Sequence, residues 1–404
     1  MLNYKEAKDL LIQHVSNTGV ETIQLSDAEG RITAEDILSP VSHPLFDQSA
    51  VDGYAFHFGS YTRLAHNDDN HNDDKIRLQV KGEVKAGDPG EVQLNAGETL
   101  RIFTGARVPN GIDTVVMQEQ VTADGSEIVL GKEVKQGQHV RKAAEQIKEG
   151  ELAIKRGSSI NPATIGFLAS LGIIEVEVAK PPIVKIIVTG DEFASDTDGL
   201  ATGKIFESNG EMLVAALNKM CIQSSFEECT DSLELLTEKV KVASEASDVL
   251  LVSGGVSVGD YDFTKPALEA NGYEEIFHKV KQKPGKPLLF MKKGDKVVFG
   301  LPGNPRAVMI CYYLYVLPML NAMMGRSSPD LTQAAFKSAS AYKKKDDDRT
   351  HFLAGKINGK EVEFLEVQGS HMMKSLTEAD CIIVNPKETL EINRGDLVNV
   401  SILP

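Results

Sequence analysis

The sequence predicts a multidomain α/β plus β fold: a central α/β domain with a parallel-type sheet, a β-rich inserted domain before it and a C-terminal β-barrel after it. Three observations carry this. Residues 183–326 alternate short apolar runs with stretches of helical spacing, the rhythm of βαβ units. On either side, the texture changes to short β-rich runs broken by Gly, Pro, Asn and Asp. At 404 residues, the chain is also too long for one ordinary hydrophobic core.

Taken in order, Tyr4, Ala7, Leu10, Leu11, His14 and Val15 recur at helical spacing, which predicts a helix over 4–18. Residues 21–25 read as a short strand, and 27–38 as a turn followed by a short strand or helix. The stretch from His43 to Ala55 is rich in small and polar residues and is expected to be a loop. From there to about residue 140 an all-β insert is expected, with strands at 77–81, 100–103 and 114–117; the polar run 67–74 within it reads as a solvated loop. Residues 140–180 contain small strands and one helix from Pro162 to Leu171, and Lys180-Pro181-Pro182 reads as a linker. The expected domains are 1–43 with 140–180, 44–139, 181–326 and 327–404.

Within 181–326, strands are expected at 183–188, 224–227, 249–252 and 296–299. Helices are expected from Ser208 (as a cap), from Leu233 to Ala246, and from Pro305 to Met324, where a proline opens an apolar segment. Beyond Gly325-Arg326, strand-like runs begin at Ala334, His351, Val362, Cys381 and Leu397, separated by turns such as Asn358-Gly359. They predict a terminal barrel or sandwich.

Composition excludes some function classes. The net charge of −15 argues against a nucleic-acid or anionic-membrane partner. No apolar run approaches the roughly 20 residues of a membrane span, and the N-terminus has no signal-like apolar region, so the cytoplasm is the expected location. Cys221, Cys229, Cys311 and Cys381 lack metal-ligand spacing and read as ordinary thiols. There is no Ser-His-Asp order, no His-Glu-x-x-His, no P-loop and no dinucleotide glycine motif.

Chemistry concentrates between Thr189 and Pro305. The apolar run 248–252 feeds the glycine-rich loop from Ser253 to Asp262. Thr189-Gly190-Asp191-Glu192 follows another strand, and Leu301-Pro302-Gly303-Asn304-Pro305 a third. Loops of small residues at the carboxyl ends of parallel strands present backbone amides to anionic ligands. Asp231, Asp262 and Glu192 are hard oxygen donors suited to Mg²⁺, although Asp231 also reads as a helix cap. Lys279, Lys281 and Lys283 alternate, which predicts three ammonium groups on one strand face; Pro284, Gly285 and Pro287 stiffen the loop holding Lys283 and Lys286. Arg349 and Gln368-Gly369-Ser370-His371 lie in the terminal β region. Together these point to a cradle for a phosphorylated substrate.

The motifs Phe46–Ala55, Arg101–Ala106, Val116–Glu119, Thr189–Glu192, Ser253–Gly259, Lys283–Pro287, Leu301–Pro305 and Gln368–Ser370 occur in the order seen in molybdopterin molybdenumtransferases. These are molybdenum-insertion enzymes related to the E domain of gephyrin, and the resemblance spans the whole chain. It implies an elongated homodimer in which 1–43 with 140–180 is a split linker and dimerisation domain and 181–326 binds molybdopterin. The reaction implied is Mg²⁺-dependent insertion of molybdate into adenylylated molybdopterin, releasing AMP and molybdenum cofactor. An upstream adenylyltransferase and apo-molybdoenzymes are the implied partners. Residue by residue, the resemblance implies catalytic roles for Asp52, Thr104, Glu192, Lys279 and Lys283, and metal binding by Asp231 and Asp262. It implies substrate binding by Gly254, Gly255, Ser257, Gly259, Lys286, Pro287, Pro302, Asn304, Arg349 and Ser370. Lys283, Lys286, Pro287, Arg349 and Ser370 match molybdate positions, and Asp52 and Thr104 would serve the partner's site. Two departures stand out: Ala144-Glu145-Gln146 where relatives commonly have Gly-Glu-Asp, and Arg306-Ala307 where many have Val-Ser. Related adenylyltransferases share the Gly-Gly-Val-Ser-Val-Gly-Asp loop but are generally single α/β domains. A non-catalytic cofactor scaffold is the other alternative, against which the retained Asp52, Thr104, Asp231, Asp262, Lys283 and Lys286 argue.

Overall fold

The computed structural model describes residues 1–67, 75–131, 133–194, 203–257 and 262–404. The chain divides into two compact units. One contains 36–154 and 166–174; the other contains 1–35, 155–165 and 175–404.

The smaller unit is built on a six-stranded sheet in the order Thr114–Met117, Gly53–Phe56, Glu98–Ile102, Lys75–Val84, Glu127–Gly131, Val121–Asp124. Side chains alternate between two apolar clusters: Ala55, Leu100, Ile102 and Val115 on one side, Phe56, Ile76, Leu78, Val116 and Ile128 on the other. The stretch expected to be a loop up to Ala55 therefore ends in a strand, Gly53–Phe56, paired on both edges. Its loop-like composition has a packing reason. A Cβ at Gly53 would stand 2.0 Å from the carbonyl oxygen of Val116, so only glycine lets the two strands pair there. The insert is also not all-β. Phe58–Asn67 forms a helix that buries Tyr61 against Phe56, and Asp113 Oδ1 accepts the backbone N–H of Phe58 at its start (2.8 Å). Helix spacing was masked in the sequence by the aromatic and glycine residues of its first turn.

The larger unit centres on a six-stranded sheet ordered Phe226–Cys229, Val184–Thr189, Val249–Ser253, Lys296–Leu301, Leu289–Lys293, Glu274–His278. The first four strands are parallel, as the βαβ rhythm predicts. The last two are antiparallel, so the sheet is mixed. The reversal comes from a two-residue turn, Gly294-Asp295, closing a hairpin between Lys293 and Lys296; Gly294 has φ 59°, as such turns require. Both faces of the parallel strands are buried. Ile186, Val188, Leu251 and Phe299 face the helix Asn209–Asn218 and the long apolar helix, while Ile187, Leu250, Val252 and Val298 face Leu233–Glu245 and Thr264–Ala270. Each such side chain contributes about 1.5–3 kcal/mol on burial, which fixes where the strands end and hence where their loops emerge.

The long helix opens at Pro305 and runs through a π-helical stretch, Tyr312–Val316, into Leu317–Met323. It is long and apolar enough by composition to cross a membrane, but it is 89 % buried inside the protein and is a core helix.

Beyond it, Gln333–Ser338, Thr350–Asn358, Glu361–Phe364, Cys381–Asn385 and Leu397–Ile402 close on one another as a five-stranded barrel. The short strand Gln282–Lys283 adds to it in parallel, pairing with Thr350 and His351. This overturns the expected lysine alternation. The preceding strand stops at His278, Lys279 turns left-handed (φ 69°), and Lys281 is held by Asp348 at 2.6 Å. The three ammonium groups do not share a strand face, because the chain here crosses from one sheet to another.

Candidate functional site

The carboxyl ends of the parallel strands open into two adjoining cavities of about 600 Å³ and about 250 Å³. Ser257, Pro287, Pro302 and Gly303 line both.

The loops between them are locked by glycine and by a buried polar net. Gly254 and Gly255 have φ of 104° and 58°, and a Cβ at Gly254 would stand 2.5 Å from the carbonyl oxygen of Thr189. The close approach of two loop backbones is what demands glycine. Thr264 donates its hydroxyl to the Gly254 carbonyl (2.9 Å), and Gly254 donates its N–H to the Leu301 carbonyl (3.1 Å). Asn209, buried at the start of its helix, donates from Nδ2 to Ser253 Oγ (3.1 Å) and to the Gly303 carbonyl (2.8 Å). The expected Ser208 cap makes no side-chain bond; Glu207 Oε1 accepts the N–H of Gly210 instead (2.9 Å). Beneath the lysine loop, the fully buried Gln282 donates to the Gly285 carbonyl (2.9 Å) and accepts from Tyr315.

The smaller cavity carries the carboxylates Asp231, Asp262 and Glu192. Asp231 is not the helix cap. Ser232 caps Leu233–Glu245, which leaves the Asp231 side chain for the cavity. Asp231 Oδ1 accepts from Thr189 Oγ1 (3.1 Å), and its backbone N–H donates to Asp191 Oδ1 (3.0 Å). Burial raises the Asp231 carboxyl above the usual carboxylate range, and the charges of Asp191 and Asp262 push the same way. Asp262 Oδ1 accepts the N–H of Ser257 (3.0 Å). Among the described residues no group of three or more His, Cys, Asp or Glu forms a complete metal cage. Two carboxylates, one with its proton affinity raised by a neighbouring like charge, fit Mg²⁺, which binds through one or two carboxylates and completes its shell from phosphate and water.

The larger cavity is basic. Lys283, Lys286, Arg306, Arg349 and Ser370 line it, with His351 and Tyr342. Arg349 donates from Nε and Nη2 to Asp347 Oδ2 (3.0 and 2.6 Å). His351 Nε2 lies 3.1 Å from the same carboxylate, and its Nδ1 lies 3.2 Å from the Tyr342 hydroxyl. Burial works against the charge of Asp347, but the His351 and Arg349 hydrogen bonds hold it below the usual range. Burial lowers His351. It also pushes Arg306 down to about 10, still cationic at neutral pH.

The fold thus gathers Glu192, Asp231, Gly254, Gly255, Ser257, Asp262, Lys283, Lys286, Pro287, Pro302, Asn304, Arg349 and Ser370 around the two cavities. Lys279 lines neither, and Gly259 lies outside the described residues. Asp52 and Thr104 belong to the smaller unit, where the backbone N–H and the hydroxyl of Thr104 both donate to Asp52 Oδ1 at 2.8 Å. Those bonds, helped by Arg101, hold the Asp52 carboxyl low. Gln146 is in the same unit, its backbone N–H donating to the His43 carbonyl (3.1 Å). Sequence reasoning missed Tyr342, Asp347 and His351. The only signal was the acidic run 346–348 directly before Arg349.

Three family models cover most of the chain: the MoeA N-terminal region (domains I and II) over residues 2–172, a probable molybdopterin binding domain over 185–322, and the MoeA C-terminal region (domain IV) over 338–403. The molybdopterin molybdenumtransferase of Haemophilus influenzae is 31 % identical, covering 99 % of this chain and 98 % of that protein. The enzyme of the same name from Staphylococcus epidermidis is 31 % identical over 99 % and 95 %. The crystal structure of the molybdopterin biosynthesis MoeA protein from Pyrococcus horikoshii OT3 superimposes with a TM-score of 0.85 at 27 % identity, covering all of both chains. A full-length match in sequence and fold, with the motif loops assembled around one pair of cavities, places this chain in the MoeA family of molybdopterin molybdenumtransferases, enzymes of molybdenum cofactor biosynthesis.

Proposed function

We propose that this chain inserts molybdate into adenylylated molybdopterin in a Mg²⁺-dependent reaction that releases AMP and molybdenum cofactor. The observation that carries the reading is the pairing of a carboxylate-lined cavity with a basic one across shared loop residues. A substrate with a phosphate–AMP linkage and a dithiolene needs both: a cation-assisted site for the pyrophosphate and an oxyanion site beside it.

The loop 253–257 receives the phosphates on backbone amides. Asp231 and Asp262 hold Mg²⁺, which when bound neutralises charge on the phosphates as the P–O–P bond is cleaved. Lys283, Lys286, Arg349 and Ser370 hold molybdate, a compact dianion suited to ammonium, guanidinium and hydroxyl donors. Glu192 borders the phosphate end. Lys283 and Lys286 form no ion pair among the described residues, so their charge is available to a ligand. Asp347 holds Arg349 in one orientation, which fixes the geometry of that wall. Asp52, kept ionised by Thr104, serves the cavities of a second copy in a homodimer. The substrate comes from an enzyme that adenylylates molybdopterin, and the product passes to apo-molybdoenzymes.

The test is purified protein given adenylylated molybdopterin, Mg²⁺ and molybdate. AMP release with metal insertion supports the reading. Tight binding without AMP release points instead to a cofactor scaffold.

A further inference from the structure

The long core helix begins Pro305-Arg306, and the arginine does not match its surroundings. Arg306 is 1 % exposed, and the residues after it, Ala307, Val308 and Met309, are buried and apolar. Its Nη1 donates to the Gln368 carbonyl; its Nη2 donates to the Phe352 carbonyl (3.2 Å) and to Gln368 Oε1. These bonds use three of the five guanidinium N–H groups, and every acceptor is neutral. Nε is buried without a partner. Arg306 forms no ion pair among the described residues, whereas Arg349 across the same cavity is paired with Asp347.

An unpaired charge taken out of water is strongly unfavourable, and a buried arginine is normally matched by a carboxylate. Here the missing anion is not supplied by the protein. The guanidinium lines the basic cavity, and Gln368 is itself pinned by donating to the Ala354 carbonyl (3.0 Å) and accepting the Ala354 N–H (3.0 Å). The charge is therefore held still at one wall while its counter-ion is absent.

We propose that Arg306 is a specificity residue for the oxyanion: clamped by Gln368 and Phe352, it keeps at the cavity wall a positive charge that only the bound ligand neutralises, so the site selects a dianion over a monoanion of the same shape. This rests on the reading of the basic cavity as the oxyanion site. The clamp also holds the segment carrying Ser370, so the charge and the hydroxyl keep a fixed spacing.

The test is calorimetric binding of two tetrahedral oxyanions, molybdate (a dianion) and perrhenate (a monoanion), to the full chain. In Arg306→Gln the ratio of molybdate to perrhenate affinity falls about tenfold, while AMP binding is unchanged. Arg306→Lys keeps the charge and keeps the ratio within about threefold of the parent. Gln368→Glu places a carboxylate on the guanidinium without removing it and lowers the ratio as Arg306→Gln does, so a folding failure of the first variant leaves the test intact. A ratio unchanged in both charge-cancelling variants overturns the proposal. So does an equal fall in Arg306→Lys, which would make the residue a scaffold only. If the parent chain binds neither oxyanion, the oxyanion-site reading itself fails; if it binds molybdate and the variants do not alter the ratio, only the role of Arg306 fails.

Discussion

Asp231 shows how a single residue acquires its chemistry. Its neighbour Ser232 takes the capping duty, burial and the Asp191 and Asp262 charges raise its proton affinity, and the result is a carboxylate poised for a cation. A carboxyl raised above its unfolded value destabilises the fold while ionised, and this penalty fades as pH falls through the folded value. Asp231→Asn is therefore expected to raise the melting temperature of the metal-free protein at pH 7 and to abolish any gain on adding Mg²⁺. The advantage of the variant should shrink as pH falls through the raised range towards the ordinary carboxylate value. Thermal melts across pH, with and without Mg²⁺, check this; an unchanged Mg²⁺ gain removes Asp231 from the metal site. In the basic cavity, Lys283→Gln removes one charge-assisted contact, and about tenfold more molybdate should then be needed for half-maximal AMP release, of the order expected for such a bond. An unaltered molybdate dependence rules out that role. The acidic and basic residues were legible in the sequence because loops at strand ends in an α/β domain converge. Lys279 and Arg306 were not. The first is turned away by a left-handed backbone, and the second is drawn inward by acceptors 46 and 62 residues further along the chain.

At the scale of elements, strands with both faces buried declared themselves, because a continuous apolar run such as Val249–Ser253 has few other uses. Gly53–Phe56 did not, since its first position must be glycine for the neighbouring backbone to approach. That gives a sharp expectation. Gly53→Ala drives a methyl into the Val116 carbonyl and should destabilise the smaller unit by about 2–3 kcal/mol or more, within the range of severe backbone clashes. Denaturant unfolding measures it, and a loss below about 0.5 kcal/mol contradicts the pairing of those two strands. The antiparallel edge of the central sheet escaped prediction for a different reason. A two-residue turn converts two apolar runs into a hairpin, and periodicity alone cannot distinguish a hairpin arm from a further parallel strand.

For the whole molecule, the central question is whether the acidic and basic cavities work as one site, and whether Asp52 joins them from a second copy. If it does, Asp52→Asn and Asp262→Asn homodimers are each inactive, but mixed dimers carry one intact site and recover activity, up to about half in the heterodimer fraction, by the symmetry of the assembly. Co-expressed, differently tagged chains test this; no recovery in isolated heterodimers means both residues act within one copy. The most direct measurement of the account as a whole is AMP release from adenylylated molybdopterin by the purified chain, titrated separately with molybdate and with Mg²⁺. The account predicts release that depends on both and is lost in Asp262→Asn while the protein stays folded. AMP release that is indifferent to molybdate, or undiminished in Asp262→Asn, would contradict it.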